Sequence, residues 1–527
     1  MQLRSSPPKV KLVKTFQTPF ANAVATARTC YSSRIITDAD VEKNPEQRDR
    51  IARSIYLAGH HTTLQHAHFQ FALENVSRQA LWGFFHAHPF YNSEQVSQRY
   101  VEVKPGRVLL AETGDQKLNA LFEKAVVRQM HVYHLLNEQL RPAIEAVYFG
   151  IFPGRKTSSG EAKKKAYASA IKKKCQEAAR YVLPVGTFAH LYHTISGITL
   201  HRYNRLAHSL DCPTEQRMII DAMVKEVNDN DPTFFRDIED TLELADTHEA
   251  LALKALAKRE TPRERTAKFC KNFDDSLGKL TSKLISYSTD SDQLLGDAVR
   301  EVFGLLDDEL SNTRAVEMLI DPKESPYLGE ALNLNTLSKS MRALKLPQFT
   351  FRKKLSHTAD SQAQRHRMTP GIRPALYRHI VPGAPDYITP EIFFHEFAQE
   401  AKKTYDDEMQ AIWNDIDSLD KAGIDAETWQ YLLPNAVSVR FTETGPLLDQ
   451  HHKWTTRLCY NAQEEIWRST LDEVQQVCKV APEIGRFLLP PCGLRERAKA
   501  KPICPERDRF CGVTVWRRPQ SEWLRII

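Results

Sequence analysis

The chain has 527 residues, 42% hydrophobic and 26% charged, with 72 basic and 66 acidic side chains and a formal net charge of +6. Such a length predicts two or more domains, and the composition is that of an ordinary globular protein. The small positive excess is compatible with an anionic ligand, but it does not indicate a nucleic-acid binder. No apolar run is long enough to predict a membrane span, and the N-terminus lacks the apolar core of a signal peptide. We therefore expect a cytoplasmic protein whose nine cysteines are reduced.

Strands and helices are both predicted along the chain. HFQFAL at 68–73 and QFTFRK at 348–353 alternate like strands, whereas 115–147 and 396–419 are typical of helices. The charged, amphipathic stretch at about 235–275 predicts a helical connector. There is no regular βαβ order and no Gly-x-Gly-x-x-Gly motif, which favours an α+β fold over a dinucleotide-binding sheet.

The two halves of the chain repeat the same features in the same order. YVLPVGTFAHLYHTISGITLHR at 181–202 is matched by YLLPNAVSVRFTETGPLLDQHH at 431–452. FQF at 69–71 is matched by FTF at 349–351, and VKLVKTF near residue 10 by SKLISYS near residue 282. These ordered matches, offset by 250 to 280 residues, predict an internal duplication.

Candidate binding residues of the first half lie in two stretches. GHHTTLQHAHFQF at 59–71 is rich in histidine, and since it contains no carboxylate, a hydrogen-bonding ligand loop is favoured over a metal site. SEQVSQRY at 93–100 offers Ser97 and Arg99, whose hydroxyl and guanidinium groups suit a phosphate or a uracil. A capped, solvated helix start is the alternative for this second stretch.

In the second half, Arg365, His366 and Arg367 occupy consecutive positions in QRHRMTP at 364–370. Arginine binds phosphate and carbonyl oxygens through two parallel hydrogen bonds, and histidine can donate to a ring nitrogen or oxygen. Three consecutive side chains cannot share one face of a strand or helix, so they would contact different parts of a large ligand, or two ligands. A solvated basic patch remains the alternative.

Three further features of the sequence concern possible chemistry. The last four cysteines, Cys478, Cys492, Cys504 and Cys511, have no C-x-x-C pairing, so no metal site is predicted. Lys163–Lys165 and Lys172–Lys174 are expected on a helix, as a solvated face or, alternatively, a phosphate site. No nucleophile motif is present, so an enzymatic activity would depend on a cofactor.

These motifs together resemble the flavin-dependent thymidylate synthases. Members of that family carry R-H-R-x-x-S-x-N-x-x-S-x-R, an earlier G-H-x-S/T-x-x-E-H, and a later arginine before A-Q-x-E-I. The first half is similar from Ala21 to about Met223, through GHHTTLQHAHFQF, NVSRQ, NSEQVSQRYV and EAARYVLP. The second half is similar from about 282 to 470, through FTFRKKLSHTADSQAQRHR, YLLP and RLCYNAQEEIW.

The two halves depart from the family pattern at different positions. The first half has His86-Ala87-His88 in place of R-H-R, Gln65 in place of a glutamate, and Ser196-Gly197-Ile198 in place of N-x-R. The second half keeps Arg365–Arg367, Arg457, Gln463 and Glu465 but has Gln430, Pro446 and Leu448 at other family positions. Because the losses are largely complementary, the resemblance implies one composite site shared by both halves.

The resemblance also implies a role for each residue of that site. Arg457 would be catalytic, polarising the uracil, and the other expected contacts to deoxyuridylate (dUMP) are Gln95, Ser97, Arg99, Arg180 and Gln362. The expected contacts to the flavin are His60, Thr62, Gln65, Arg365, His366 and Arg367. No metal is implied.

The implied function is reductive methylation of dUMP to dTMP with FAD, NADPH and methylenetetrahydrofolate. The alternative is an inactive paralogue that binds a nucleotide or flavin and serves regulation or assembly. The expected architecture is two lobes, each a curved mixed sheet flanked by helices, packed as a pseudo-dimer; two chains would then form a pseudo-tetramer. The expected domains are 1–235, a connector at 236–275, 276–485, and a cysteine-containing extension at 486–527.

Overall fold

The structure, a computed structural model, describes residues 1–85, 91–157, 160–236, 240–256 and 262–527. It combines helices with small sheets, so the α+β prediction is confirmed. The residues at the first half's R-H-R position, His86-Ala87-His88, lie outside the described ranges, as do parts of the predicted connector.

The first half and the connector contain these strands and helices: β1 (Gln2–Leu3), β2 (Lys9–Thr15), α1 (Pro19–Thr29), α2 (Asp38–Glu42), α3 (Pro45–Leu57), β3 (His68–Ser77), α4 (Arg78–Phe85), β4 (Tyr91–Gln95), β5 (Ala111–Glu112), α5 (Gln116–Gln139), α6 (Arg141–Ile151), α7 (Pro153–Lys156), α8 (Glu161–Ala179), β6 (Phe188–Ser196), α9 (Gly197–Arg205), α10 (Pro213–Asn230), α11 (His248–Leu256) and α12 (Pro262–Leu277). The helix predicted at 115–147 is divided between α5 and α6, because Pro142 cannot continue a helical hydrogen-bond ladder.

The second half contains these elements: β7 (Ser282–Tyr287), α13 (Ser291–Phe303), α14 (Asn312–Ile320), β8 (Gln348–Ser356), α15 (His357–Ala363), β9 (Gly371–Ile372), α16 (Gln399–Lys421), α17 (Ala426–Trp429), β10 (Ser438–Pro446), α18 (Leu447–Arg457), α19 (Glu464–Val480), α20 (Pro482–Gly485) and α21 (Pro491–Arg497). The predicted strands at 68–73 and 348–353 and the helix at 396–419 are confirmed as β3, β8 and α16.

Each half builds a four-stranded sheet with the same strand order. The first sheet is ordered β2-β3-β6-β4 and the second β7-β8-β10-β9, so corresponding strands occupy corresponding places. Even an irregularity is repeated: the edge strand shifts register just after Leu12 in the first sheet and just after Leu284 in the second. Those leucines pair with Phe71 and Phe351, the second phenylalanines of FQF and FTF. The predicted repeat therefore corresponds to a repeated sheet.

The strand directions differ from the prediction. Every described pairing in the two sheets is antiparallel, so the expectation of mixed sheets was wrong. Neighbouring strands are antiparallel when the chain returns to the end of the sheet that it left. The helical connection α1–α3 makes such a return between β2 and β3, even though its length would also allow a parallel crossover.

The two Tyr-x-Leu-Pro repeats lie against each other and form what we call the seam, residues 181–186 and 431–436. Four backbone hydrogen bonds join them: Val185 N–H to Leu433 O (2.8 Å), Asn435 N–H to Leu183 O (2.7 Å), Gly186 N–H to Tyr431 O (3.1 Å) and Ala436 N–H to Tyr181 O (2.9 Å). Each bond has a counterpart 250 residues away, as in a self-complementary two-fold interface. A side chain at Gly186 would meet the Tyr431 carbonyl oxygen at 3.0 Å, a tight contact, whereas the equivalent position of the other repeat is occupied by Ala436.

The buried apolar side chains form two cores. One hydrophobic core contains residues of both halves, including Tyr133, Tyr181, Trp413 and Tyr431, and it lies along the seam. A second core lies within the second half, and it includes Val515 and Trp523 from the C-terminal segment. That segment is therefore packed onto the second half. Among the described residues, no helix combines the length and the apolar character that crossing a membrane requires.

Candidate functional site

Five arginines from distant parts of the chain come together where the halves meet, and we call them the arginine cluster. Three come from the first half: Arg78 begins α4, Arg99 follows β4, and Arg180 follows α8. Two come from the second half: Arg365 follows α15, and Arg457 ends α18. The five groups are close enough for their charges to act on one another. In addition to burial, the charges of Arg180 and Arg365 lower the pKa of Arg78, and those of Arg365 and Arg99 lower the pKa of Arg457.

Arg457 is buried at this junction. One of its Nη atoms donates to the backbone oxygen of Gln362 (2.8 Å), while its Nε has no partner among the described residues. Burial, followed by the charges of Arg365 and Arg99, lowers the pKa of the Arg457 guanidinium to about 9. The side-chain Oε1 of Gln362 is likewise buried without a partner in the described structure. Arg457 and Gln362, which this backbone hydrogen bond joins, thus each keep one buried polar atom without a partner in the described structure.

Arg78 is the member of the cluster that sequence reasoning did not assign to the site, although its motif, NVSRQ, was visible. Its Nη atoms donate to the side chain of Gln95 (3.0 Å) and to the backbone oxygen of Val96 (2.6 Å). Burial, together with the nearby charges of Arg180 and Arg365, lowers the pKa of Arg78 to about 9. Arg78 therefore fixes the end of β4, where the predicted residue Gln95 lies, just before Ser97.

The turn after β4 positions Arg99. The Ser97 carbonyl accepts backbone hydrogen bonds that close this turn, so the stretch is a strand end and a turn, and the alternative of a helix start was wrong. Arg99 forms an ion pair with Glu177, and one of its Nη atoms donates to the backbone oxygen of Asn461 (2.7 Å). The positive neighbours Arg99 and Lys174 hold the pKa of Glu177 far below its usual range despite burial.

Arg180 is buried and reaches across to the second half. One of its Nη atoms donates to Oε1 of Gln463 (2.9 Å), and its Nε has no partner among the described residues. Burial lowers the pKa of Arg180, and the charge of Arg99 adds to that effect. Both predicted phosphate-binding arginines are thus connected to one short loop of the second half, residues 459–463.

Arg365, His366 and Arg367 point in different directions, as the sequence predicted. The Arg365 side chain is 59% exposed, and its nearest carboxylate, that of Glu94, is 3.9 Å away. Arg367 lies over the ring of Tyr91 (5.0 Å) and is 3.5 Å from the side-chain oxygen of Asn92. Both arginines therefore project over β4 of the first half and retain donor capacity for a ligand.

His366 points inward. Its Nε2 is buried and has no partner in the described part of the chain. Burial lowers the pKa of His366 well below its usual value, and the charges of Arg457, Lys453 and Lys353 add to that effect. The imidazole is therefore neutral at physiological pH and offers a donor or an acceptor without a charge.

Beneath His366, the second half buries a charge-balanced group of two lysines and two glutamates. Lys353 lies 2.6 Å from Glu473, and Lys453 lies 3.1 Å from the same carboxylate. Lys453 also pairs with Glu443, and all four side chains are at most 4% exposed. Such a group fixes the relative positions of β8, β10, α18 and α19, the elements that precede or carry Arg365 and Arg457.

The predicted flavin residues of the first half are not brought to the cluster. His60, Thr62 and Gln65 are exposed, in or next to the 3-10 helix His61–His66. This loop precedes β3 whereas Arg78 follows it, which separates the two by roughly 30 Å along the strand. Among the described residues, no hydrogen bond or ion pair joins this loop to Arg365, His366 or Arg367.

The cluster is suited to a polyanionic ligand. Among the described members of the cluster, Arg99 forms a close ion pair, with Glu177, and a phosphate would relieve the mutual repulsion of the guanidinium groups. Arg365 and Arg367 have weak partners at their exposed ends, so they fit the diphosphate of a dinucleotide cofactor. The unpartnered atoms of Arg457, Gln362 and His366 fit a flat ring with donors and acceptors on its edge. Within the described residues, no three side chains are arranged to hold a metal ion.

Comparison with known proteins identifies the family. The chain matches the family described as thymidylate synthase complementing protein twice, over residues 11–233 and 283–483. The chain belongs to this family. The two matches cover most of its length and correspond to the two halves that carry the repeated sheets.

Individual relatives carry related names. The chain is 25% identical over 230 residues to a flavin-dependent thymidylate synthase of Clostridium tetani, a match covering 43% of this chain and 85% of that protein. It is 30% identical over 146 residues to a flavin-dependent thymidylate synthase of Geobacter sulfurreducens, covering 26% of this chain and 61% of that protein. A solved UMP/dUMP methylase of Streptomyces cacaoi, bound with 5-Br dUMP, covers 45% of this chain and 98% of its own, at 19% identity and a TM-score of 0.31.

Proposed function

We propose that the chain is a flavin-dependent thymidylate synthase that methylates dUMP to dTMP at one composite site built by both of its halves. The observation that supports this most directly is the arginine cluster itself. Arg99 and Arg180 of the first half meet Arg457 and Arg365 of the second half, and these are the family positions that each half has kept.

In this proposal the first half holds the nucleotide phosphate and sugar. Arg99 and Arg180 bind the phosphate, and Ser97 and Gln95 donate to it or to the ribose. Since Arg99 is paired with Glu177 in the free protein, the phosphate takes the place of that carboxylate as the partner of Arg99. The same replacement would strengthen the hold on the ligand, because a phosphate presents more acceptor oxygens than a carboxylate.

The second half acts on the uracil. Arg457 and Gln362 form hydrogen bonds with the polar edge of the uracil ring. The Arg457 guanidinium stabilises negative charge on a ring oxygen during the reaction. Because Arg457 is buried and lies in a low-dielectric setting, this stabilisation is stronger than it would be in water. No enzyme cysteine is required to attack the ring.

The cofactor in this proposal is FAD, which supplies the electrons and carries the one-carbon unit when bound. Arg365 and Arg367 bind its diphosphate, and the neutral His366 makes an uncharged hydrogen bond to it. NADPH and methylenetetrahydrofolate are the proposed co-substrates. The proposed domains are 1–235, 276–485, the connector 236–275 and the extension 486–527, with the two lobes packed as an intrachain pseudo-dimer across the seam.

We further propose that two chains assemble into a pseudo-tetramer. His60, Thr62 and Gln65 lie at the far end of β3 from the cluster, so they can contact a flavin only where another copy of the chain presents it. Analytical ultracentrifugation of the purified chain tests this, and a monomer in the presence of FAD and dUMP would contradict it.

The decisive experiment combines binding and turnover. The purified full chain should show the visible absorption of oxidised flavin, bind dUMP, and form dTMP when NADPH and methylenetetrahydrofolate are supplied. Arg457→Ala should lower the rate of dTMP formation by about 100- to 1,000-fold. Arg141→Ala removes an exposed arginine paired only with Glu145, so it serves as the matched control and should leave turnover unchanged.

The second candidate is an inactive paralogue that binds a nucleotide or flavin without turnover. It is favoured by the loss of N-x-R from both halves, at Ser196-Gly197-Ile198 and at Pro446 and Leu448. The buried ion pair of Arg99 with Glu177 also favours it, because it occupies a phosphate-binding arginine. Tight dUMP binding without dTMP formation, in a preparation saturated with FAD, would select this candidate.

A further inference from the structure

The C-terminal segment, residues 486–527, lies beyond the second family match, which ends at residue 483. Part of it is nevertheless buried where the two halves meet. Trp523 belongs to the core of the second half, whereas Ile526 and Ile527 pack against the core that both halves share. Arg525, which lies between them in the sequence, is only 4% exposed. The segment is therefore anchored on both cores, and it buries a guanidinium group between the two anchors.

Arg525 is bonded to residues 459–463, the loop between α18 and α19. One of its Nη atoms donates to the backbone oxygen of Ala462, and its guanidinium lies over the ring of Tyr460, 5.4 Å from the ring centroid. Its Nε donates to the backbone oxygen of Ile527 (2.8 Å), and its other Nη atom is buried without a partner among the described residues. The guanidinium is thus fixed to both the loop and its own segment.

Two further hydrogen bonds join the loop to the C-terminal segment. The Tyr460 hydroxyl donates to the backbone oxygen of Leu524. The Asn461 side chain donates to the backbone oxygen of Arg509 (2.9 Å). Three consecutive residues of the loop are therefore each bonded to this segment, so the segment determines where the loop lies.

The first half of the chain is bonded to the same loop. Arg99 donates to the backbone oxygen of Asn461 (2.7 Å), and Arg180 donates to Oε1 of Gln463 (2.9 Å). Arg525 donates to the residue between them. Three arginines from three distant parts of the chain thus bind three consecutive residues, and two of these arginines are the proposed ligands of the nucleotide phosphate.

These bonds can persist when the nucleotide binds. In the proposed function the phosphate replaces Glu177 as the partner of Arg99, but it does not compete for the acceptors of the loop. The segment also comes close to this carboxylate, since Ile526 and Ile527 line a small cavity together with Glu177. A side chain that is already held in place loses less conformational freedom on binding a ligand. A fixed loop therefore favours phosphate binding.

We propose that Arg525 is a positioning residue of the composite site. By holding the loop 459–463, it keeps Arg99 and Arg180 directed at the nucleotide phosphate. Arg525 acts through the loop and does not itself contact the nucleotide. This inference rests on the proposed function, and it extends the site to a segment that lies outside both family matches.

The test compares the binding of dUMP and of deoxyuridine, which lacks the phosphate, to the full chain saturated with FAD. Isothermal titration calorimetry gives both dissociation constants, and their ratio is the preference for the phosphate. Arg525→Ala should weaken dUMP binding by about five- to 100-fold and leave deoxyuridine binding unchanged, because two arginines must then be ordered on binding. Arg525→Lys keeps one donor for the loop and should recover part of the preference.

Two more variants complete the test. Tyr460→Phe removes only the hydroxyl that donates to Leu524, so it supplies the answer if Arg525→Ala does not fold, and it should lower the preference at least about twofold. Arg517→Ala, at an exposed ion pair with Glu496 in the same segment, is the matched control and should keep the wild-type preference.

Each other outcome overturns the inference in a recognisable way. Wild-type preference in both Arg525→Ala and Tyr460→Phe would show that the segment does not position the arginines. Equal weakening of dUMP and deoxyuridine binding would show a general structural role, and equal loss in Arg517→Ala would show that the residue assignment is wrong. A wild-type chain without preference for the phosphate would overturn the proposed function, and this inference with it.

Discussion

The Tyr181 hydroxyl of the first half donates to the Glu465 carboxylate of the second half (2.5 Å). Its counterpart 250 residues away is the Tyr431 hydroxyl, which donates to Glu215 of the first half (2.9 Å). Each glutamate also accepts from a serine of its own half, Glu215 from Ser77 at the end of β3 and Glu465 from Ser356 at the end of β8. The halves are thus joined across the seam by two equivalent buried hydrogen bonds, and each one connects a sheet of one half to a repeat of the other.

Both of these bonds should stabilise the chain, and the Tyr181 hydroxyl also accepts from Gln463. Tyr181→Phe and Tyr431→Phe each remove one buried donor, and we expect each to lower the free energy of unfolding by about 1 kcal/mol. Urea denaturation measures this loss. Tyr31→Phe, at a tyrosine that is 93% exposed, is the control and should have no effect. Equal stability of all three variants and the wild type would show that the seam is held by its backbone bonds alone.

The Glu215 carboxyl should make stability depend on pH. Burial raises its pKa from 4.5 to about 7, so the folded chain holds this proton more tightly than the unfolded chain does. The protonated Glu215 carboxyl contributes its full stabilisation below the pKa that it has in the unfolded chain, and this contribution is lost as pH rises through about 7. Glu215→Gln cannot ionise, so its unfolding free energy should fall less than that of the wild type between about pH 5 and about pH 8. Parallel pH profiles for the two proteins would contradict this.

Much of the fold could be predicted from the sequence because it depends on local pattern. FQF and FTF lie at equivalent places in β3 and β8, since alternating aromatic residues specify a half-buried strand. The contact between the Tyr-x-Leu-Pro repeats was not foreseen, because backbone pairing between distant segments leaves no local signal. The prediction of strand direction was wrong for a related reason, because a long helical connection is compatible with either parallel or antiparallel neighbours.

The site was predictable only in part. Arg99, Arg180, Arg365 and Arg457 could be found because motifs carry them, and the structure brings them together. Arg78 was overlooked because its role depends on burial next to other arginines, a property that sequence spacing does not encode. The buried lysine and glutamate group was not predicted because charged residues on strands and helices usually face solvent.

Both halves should be needed for activity in cells. Arg99→Ala in the first half and Arg365→Ala in the second should each fail to support growth of a thymidine-requiring strain without thymidine. In the purified chain, Arg457→Ala should lower the rate of dTMP formation by about 100- to 1,000-fold, as for loss of a donor to a developing negative charge. Normal growth of both of the first two variants would disprove the composite site.

Nucleotide binding should stabilise the folded chain through its phosphate. At a dUMP concentration of about 100 times its dissociation constant, the expected gain is about 2.7 kcal/mol, seen as a higher melting temperature. Deoxyuridine, which lacks the phosphate, should protect far less, and Arg180→Ala should reduce the protection by dUMP. Equal protection by dUMP and deoxyuridine would place the phosphate outside the arginine cluster.

In the buried lysine and glutamate group, replacing one partner of an ion pair should cost more unfolding free energy than replacing both. Lys353→Leu leaves a buried carboxylate with too few partners and should cost about 3–5 kcal/mol of unfolding free energy. Leu73 and Met223 occupy the corresponding places in the first half. Lys353→Leu combined with Glu473→Met should therefore cost less than Lys353→Leu alone.

Chemical denaturation of both proteins checks this, with Lys271→Leu, at an exposed ion pair, as the control. The exposed substitution should change the unfolding free energy by less than about 1 kcal/mol. A double variant that is less stable than Lys353→Leu would show that the group is not a self-contained unit.

An assembly of identical subunits repeats every substitution on each of its faces. Here two different sequences meet across the seam, and one face has kept Arg180 where the other has Gln430, and Arg457 where the other has Ala207. In the proposed function, the face with Arg180 and Arg457 is therefore the one that holds the phosphate. Binding should saturate at one nucleotide per chain, half the stoichiometry that the repeated fold would suggest.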